Sequence, residues 1–373
     1  MAEKRCNYVR CSKSGVILHV NIHRFIYPYV LNRSLTEQER TNQLHQWEPH
    51  PEIPLIRDDD TVIKMNSTYL EIVDRYYAPK GFPSLLTGML AIVIIGMFSY
   101  SCIMFFERYV LCEQYHWDSD DIWVWPLIAA MFVFIIWLCL SIALKEWFRK
   151  THYPIRFNRR NKMVYVYQVD GSILSVPWGK IFFTPYDGVS KNSLIRGLGI
   201  DGHILANDNV TVLKTFSLPY YGSWEGLAGY WEFIRCYMEE DVLQELTKTI
   251  DMCPPVADRK EGYLFGLQYQ FRFATKVEWI RLLWFPYILL ENLSRYIAML
   301  TSKIPQWPEE VEKACEVSPN DPIDVSYKSN KLNLWEYTFA CINREDYIEA
   351  YRQKMTALRR IRRKVAKRYR EHY

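Results

Sequence analysis

The sequence predicts an α+β membrane protein: a two-helix transmembrane hairpin, a cytoplasmic antiparallel β meander with helices, and a basic C-terminal helix. Three observations predict it. Two stretches, 85–106 and 122–144, run 22 and 23 residues without a charge, and about 20 apolar residues cross the ~30 Å hydrocarbon core as a helix. The region that follows alternates apolar and polar residues with period two and is punctuated by turn residues. The final stretch, 344–373, holds 11 basic and 4 acidic residues.

Composition bounds the rest. A chain of 373 residues allows two or three modules. With 24% charged and 49% hydrophobic residues, disorder throughout is excluded. A net charge of +4 excludes a globally basic nucleic-acid binder. A mean hydropathy of −0.18 excludes a polytopic transporter.

The N-terminal segment, 1–81, is expected on the cytoplasmic side. Residues 15–23 read as a strand, 32–39 as a helix start, and 46–60 as a Pro- and acid-rich linker in which Asp58, Asp59 and Asp60 are solvated. Residues 68–77 read as a helix leading to the membrane. Cys6, Cys11, His19 and His23 suggest a zinc site, but neither pair has a tight finger spacing. On a strand the two histidines would stand roughly 13 Å apart, too far for one tetrahedral ion. No metal or cofactor is expected.

The hairpin occupies 82–145. Gly88, Gly96, Ser99 and Ser101 are small enough for the two helices to pack closely. Pro126 sits near the start of the second span, where a helix tolerates it best. Both stretches are too long, and too far from the N-terminal end, for a signal peptide. The connecting loop carries Arg108 against five acidic residues, whereas Lys145, Arg149, Lys150, Arg156, Arg159, Arg160 and Lys162 follow the second span. The positive-inside rule then places both termini in the cytoplasm and the acidic loop outside. Trp117, Trp123 and Trp125 form one interfacial belt, Trp147 and Phe148 the other.

The juxtamembrane module is expected over 146–252. Strands at 155–158, 163–168 and 173–178 flank turns at 159–162 and Asp170-Gly171. Two further strands fit 203–205 and 211–218, and 224–246 reads as one amphipathic helix. A helical region follows over 253–343. Within it, 279–300 has an uncharged run of only nine residues, 282–290, too short to cross a bilayer. It reads either as an interfacial helix with Trp284, Phe285 and Leu289 in lipid and Glu278, Arg281, Glu291 and Arg295 on the polar side, or as a buried or re-entrant helix. The basic helix, 344–373, carries Arg359, Arg360, Arg362, Arg363, Lys364, Lys367, Arg368 and Arg370. These suit a solvated face, the anionic inner leaflet or an acidic partner.

Catalytic motifs are not found. Gly197, Gly199 and Gly202 match G-x-G-x-x-G, but a turn and strand follow where a dinucleotide site needs a helix, so a glycine-rich loop is expected. There is no G-x-S-x-G elbow, H-E-x-x-H helix, phosphate loop or EF-hand loop. The nine cysteines include no C-x-x-C, and cytoplasmic thiols stay reduced. Enzyme activity is not expected.

The stretch WFRKTHYPIRFNRRNKMVYVYQVDGSILSVPW (147–178), preceded by two spans, resembles an uncharacterised family of bacterial two-span inner-membrane proteins with a juxtamembrane β module. Its members are often encoded near type VI secretion genes. The resemblance covers about 70–250. It implies that Phe157, Asn158 and Arg159 open a hairpin and that Trp178 packs its back; it assigns no catalytic residue.

The expectation for function is therefore an inner-membrane-anchored interaction protein. Its most concrete form is a type VI secretion-associated immunity or partner protein that binds a cognate toxin. The alternatives are a membrane-active effector or its loading partner, or a lipid-binding structural or regulatory module. Membrane lipid and a protein partner are expected, nucleic acid is not, and homo-oligomerisation through Gly88 and Gly96 is left open.

Overall fold

The computed structural model describes residues 29–49, 55–107, 121–187, 198–220, 222, 224–273, 283–330 and 344–370. The strand read at 15–23, the Cys6/Cys11/His19/His23 set, the acidic loop with Cys112 and Trp117, and Glu278 and Arg281 lie outside these residues.

The chain opens with β1 (Arg33–Ser34) and the short helix α1 (Glu37–Thr41). Thr36 caps α1: its hydroxyl accepts from the Glu39 N–H, and Glu39 returns a bond to the Thr36 N–H. The hairpin β2 (Val62–Asn66) and β3 (Tyr69–Ile72) follows. Its turn is made by the Asn66 side chain, which accepts the N–H groups of Thr68 and Tyr69. Residues 68–77 are thus a strand and its exit, not the helix expected. Both faces of β3 are buried, so its side chains show no alternation.

Next come the two apolar helices, α2 (Phe82–Phe106) and α3 (Asp121–Glu146). Both are long and apolar enough to cross a membrane. They meet through rings, Phe98 on Phe132 at 5.4 Å and Phe105 on Trp125 at 5.1 Å. Gly88 and Gly96 take no part, because a Cβ at either would find nothing within 4 Å. The close glycine packing expected there is corrected to an aromatic seam.

The strands β4 (Ile155–Asn158), β5 (Met163–Tyr167) and β6 (Ile173–Pro177) fall where alternation placed them. Asn158 turns the first hairpin by accepting the Arg160 and Asn161 N–H groups. Gly171, at φ +89°, turns the second. Beyond them lie β7 (Ile181–Asp187), β8 (Leu198–Leu205) and β9 (Thr211–Leu218).

All pairings within the two sheets are antiparallel, but they do not form one meander over 146–252. One sheet has the order β10-β2-β3-β4-β5-β6, where β10 is Asp324–Ser326; the other runs β1-β9-β8-β7. The first therefore takes strands from both sides of the apolar hairpin and from the C-terminal third. In this arrangement Ile63, Leu70 and Ile72 are all buried. Of the G-x-G-x-x-G stretch, Gly199 and Gly202 lie in strand β8 rather than in a loop, and Gly197 lies outside the described residues. The rings of Tyr186 and Phe216 occupy the space a Cβ would need at Gly199 and Gly202.

One core joins both sheets to α4 (Trp224–Glu239) and α5 (Leu243–Thr247), which replace the single helix expected over 224–246. Trp178 lies at its centre, stacked 5.8 Å from Trp231 and edge-on to Phe157 at 5.9 Å. The supposed linker also enters it: Ile56 and Asp58 are buried, and the buried Gln46 donates to the carbonyls of Trp178 and Ile181. The solvated reading of Asp58 is thereby corrected. The remaining helices are α6 (Tyr263–Phe273), α7 (Phe285–Thr301), α8 (Glu309–Ala314) and α9 (Arg344–Arg370).

Candidate functional site

The site that organises the molecule is a polar collar where the apolar hairpin joins the body. A helix start leaves N–H groups without partners. Here they are met across the hairpin. The Glu146 carboxylate, at the end of α3, accepts the Gly81 N–H at 2.5 Å and the Ser84 N–H at 3.0 Å, and also the Ser84 hydroxyl. A carboxylate at a helix N-terminus also meets the positive end of the helix dipole. Both ends of the hairpin are thereby tied together.

Helix α7 closes the collar. Its Arg295 forms a two-pronged pair with Glu261, Nε to Oε1 at 2.7 Å and Nη2 to Oε2 at 2.8 Å. Nη1 donates to the carbonyls of Tyr77 and Ala78 at 2.8 and 3.0 Å. Tyr77 gives its hydroxyl to Glu261, and Ser294 donates to the Gly81 carbonyl. Gly81 adopts φ +97°, and a Cβ there would stand 2.5 Å from the backbone of Arg295. Only glycine lets α7 approach this closely. Lys80 is buried beside it and donates to the Lys150 carbonyl at 2.7 Å; burial lowers its pKa to about 8.

The outward side of α7 is the reverse of its inward side. Ile288, Glu291, Asn292, Arg295, Ala298 and Met299 are buried. Leu290, Leu293, Ile297 and Leu300 are exposed by 52%, 48%, 38% and 48%. Their spacing of three and four residues puts them on one face. The helix packs against α6 and α2, and α2 carries exposed apolar residues of its own. Burial raises the pKa of the Glu291 carboxyl, on the buried side.

A sequence-family model described as a family of unknown function (DUF6708) matches residues 131–319, more than half of the chain. The chain belongs to the DUF6708 family. No curated protein and no solved structure matches it. The DUF6708 match begins inside α3 and ends after α8, so β2, β3 and α2 lie before it although they complete the same sheet and hairpin.

Within the DUF6708 region the residues singled out in the sequence are packing and capping groups. Phe157 and Trp178 are core. Asn158 donates to the Ala314 carbonyl at 2.7 Å and so holds α8. Arg159 donates to the carbonyls of Tyr237 and Glu240 at the end of α4. Pro126, in the second turn of α3 and before the matched region, is exposed. Trp284 is exposed, whereas Phe285 and Leu289 are partly buried against α6. Glu291 and Arg295 point inward, so the polar side expected to face water faces the protein. The exposed row at 290, 293, 297 and 300 was the missed signal, legible as a leucine and isoleucine stripe.

The basic helix is not a free tail. Ala357, Leu358, Ile361 and Val365 of α9 are buried, the last three within the main core. Lys364 pairs with Glu245 at 2.9 Å and Arg368 with Glu240 at 3.1 Å. Arg359, Arg360, Arg362, Arg363 and Lys367 are exposed; the Arg370 side chain lies outside the described residues.

Proposed function

We propose that this DUF6708 protein is an integral protein of a bacterial inner membrane, crossing it twice through α2 and α3 with both termini cytoplasmic. Helix α7 lies against the same leaflet with its apolar row in lipid. The observation that carries this reading is that α2, α3 and α7, which meet the polar collar, each expose apolar residues. In water such a surface is a liability, whereas in a bilayer it is the solvated surface. The basic residues after α3 support the orientation, by the positive-inside rule.

In this reading the body works by binding a protein partner rather than by catalysis. A type VI secretion-associated immunity or partner role, directed at a cognate toxin, is its most concrete form. The sequence resemblance supports it. The exposed cations of α9 supply a surface complementary to an acidic partner.

Cysteine labelling in intact cells tests the topology. Cys112 is expected to react with a membrane-impermeant maleimide from outside, and a cysteine placed at Ser172 only after lysis. Extraction of the chain by carbonate, or labelling of both sites only after lysis, overturns the two-span reading. Affinity capture of the detergent-solubilised chain, with co-expression of any toxin recovered, tests the partner role. Absence of protection overturns the immunity form.

A further inference from the structure

Four arginines are buried among the described residues: Arg75, Arg156, Arg235 and Arg295. Three end on carboxylates. Arg156 meets Glu71 at 2.6 Å, Arg235 meets Glu232 at 2.9 Å and Glu240 at 2.8 Å, and Arg295 meets Glu261 at 2.7 Å. Arg75, at 7% exposure, pairs with no carboxylate among the described residues. Its guanidinium carbon sits 4.7 Å from the ring centres of both Tyr29 and Tyr76. Nη2 donates to the Tyr76 hydroxyl at 2.5 Å, and Nη1 has no acceptor among the described residues.

A buried cation without a counter-charge is costly, and a guanidinium presents a fork of donors that fits a planar or tetrahedral oxyanion. Arg75 lines a cleft of about 280 Å³ at the ends of β3, β4, β5 and β9. Tyr29, Tyr76, Tyr153 and Tyr167 form its aromatic walls. Lys214 lines it too, is exposed and makes no salt bridge among the described residues. Asp74 is the carboxylate in the lining, and it accepts the N–H groups of Tyr76 at 2.9 Å and Tyr153 at 3.0 Å.

We infer that this cleft is a binding site for a small molecule that presents a carboxylate or phosphate to Arg75 and a flat apolar group to the tyrosines. Arg75 supplies the missing pairing, Lys214 adds charge, and the rings give stacking surface. The volume lies just below the range typical of small-ligand pockets, about 300–1,000 Å³. The site is independent of the membrane topology proposed above.

Thermal shift of the full-length chain in detergent tests it, with phenyl phosphate, benzoate, inorganic phosphate and neutral benzamide as probes. Phenyl phosphate or benzoate is expected to raise the melting temperature with saturation. Benzamide is not, and Arg75→Met abolishes the effect. Lys214→Glu alters an exposed residue and keeps the test open if Arg75→Met fails to fold; it is expected to weaken binding at least threefold. No saturable shift with either aromatic oxyanion, or the same shift in the variants as in the parent chain, overturns the site. Equal affinity for inorganic phosphate and phenyl phosphate overturns the assignment of the flat apolar group.

Discussion

Arg295 and Glu261 face each other side-on, two nitrogens on two oxygens, with both side chains at most 2% exposed. Removing one partner strands the other charge inside the protein, which costs about 3–5 kcal/mol. Arg295→Met is therefore expected to lower stability by that order. The double variant Arg295→Met/Glu261→Gln is expected to recover a large part of the loss. Chemical denaturation in a mild detergent reads both, and simple additivity of the two single changes would contradict the pairing.

Gly81 should be the least replaceable glycine of the hairpin. Alanine there meets both a left-handed backbone and the backbone of Arg295, so a loss of at least about 2 kcal/mol is expected. Alanine at Gly88 or Gly96 meets nothing within 4 Å and should stay within about 0.5 kcal/mol. The three melting temperatures, compared side by side, decide the point.

Stability should fall on acidification through His152. Its ring is buried, its Nδ1 shares a hydrogen bond of 3.0 Å with the Thr151 hydroxyl, and its Nε2 has no partner among the described residues. Burial, with the charge of Lys80, lowers its pKa from 6.5 to about 3. Between those values the unfolded chain holds a proton that the folded chain does not. Folding free energy is thus lost as pH falls below 6.5, at up to about 1.4 kcal/mol per pH unit. Lys80 acts in another window: with its pKa lowered to about 8, stability gains as pH rises from there toward 10.5. Urea midpoints at pH 7.5 and 5 should differ less in His152→Gln than in the parent chain.

The two ends of the hairpin are close enough to be joined. Gly81 and Glu146 share a hydrogen bond, so a short Gly/Ser linker replacing 82–147 should leave the body folded. If α7 touches lipid as proposed, this shortened protein still floats with phospholipid vesicles. Leu290→Glu combined with Leu293→Glu should return it to the soluble fraction. A shortened protein that ignores vesicles would remove α7 from the membrane reading.

What could be read in the residues depended on sequence alternation and turn residues, since β4 is as fully buried as β3. Strands β4 and β5 announced themselves through turn residues and alternation at 155–167. The hairpin of β2 and β3 did not, because Tyr69-Leu70 sets two apolar residues side by side and the turn residues Ser67-Thr68 include no glycine. The second apolar helix and the first were legible from length alone. Helix α7 was half legible: its composition showed amphipathicity, but not that Arg295 had a partner at Glu261, 34 positions earlier in the chain. The Arg75 cleft was invisible for a related reason, since its walls come from residues 29–31, 74–76, 153–169 and 214–217.

Strands β3 and β4 are neighbours in register, Ile72 opposite Ile155 and Tyr69 opposite Asn158, with the whole apolar hairpin between them in the chain. During synthesis, β3 must therefore wait. Only β2 is there to pair with it; β4 does not exist until both apolar helices have been made, and strand β10, which pairs with β2 at the sheet's edge, comes later still. The newborn chain thus carries the β2–β3 hairpin with the other edge of β3 open through the period in which its helices are finding their place. Assembly of the sheet becomes a late event that reports on the hairpin: in the full chain, Ile72 meets Ile155 once the two helices end side by side.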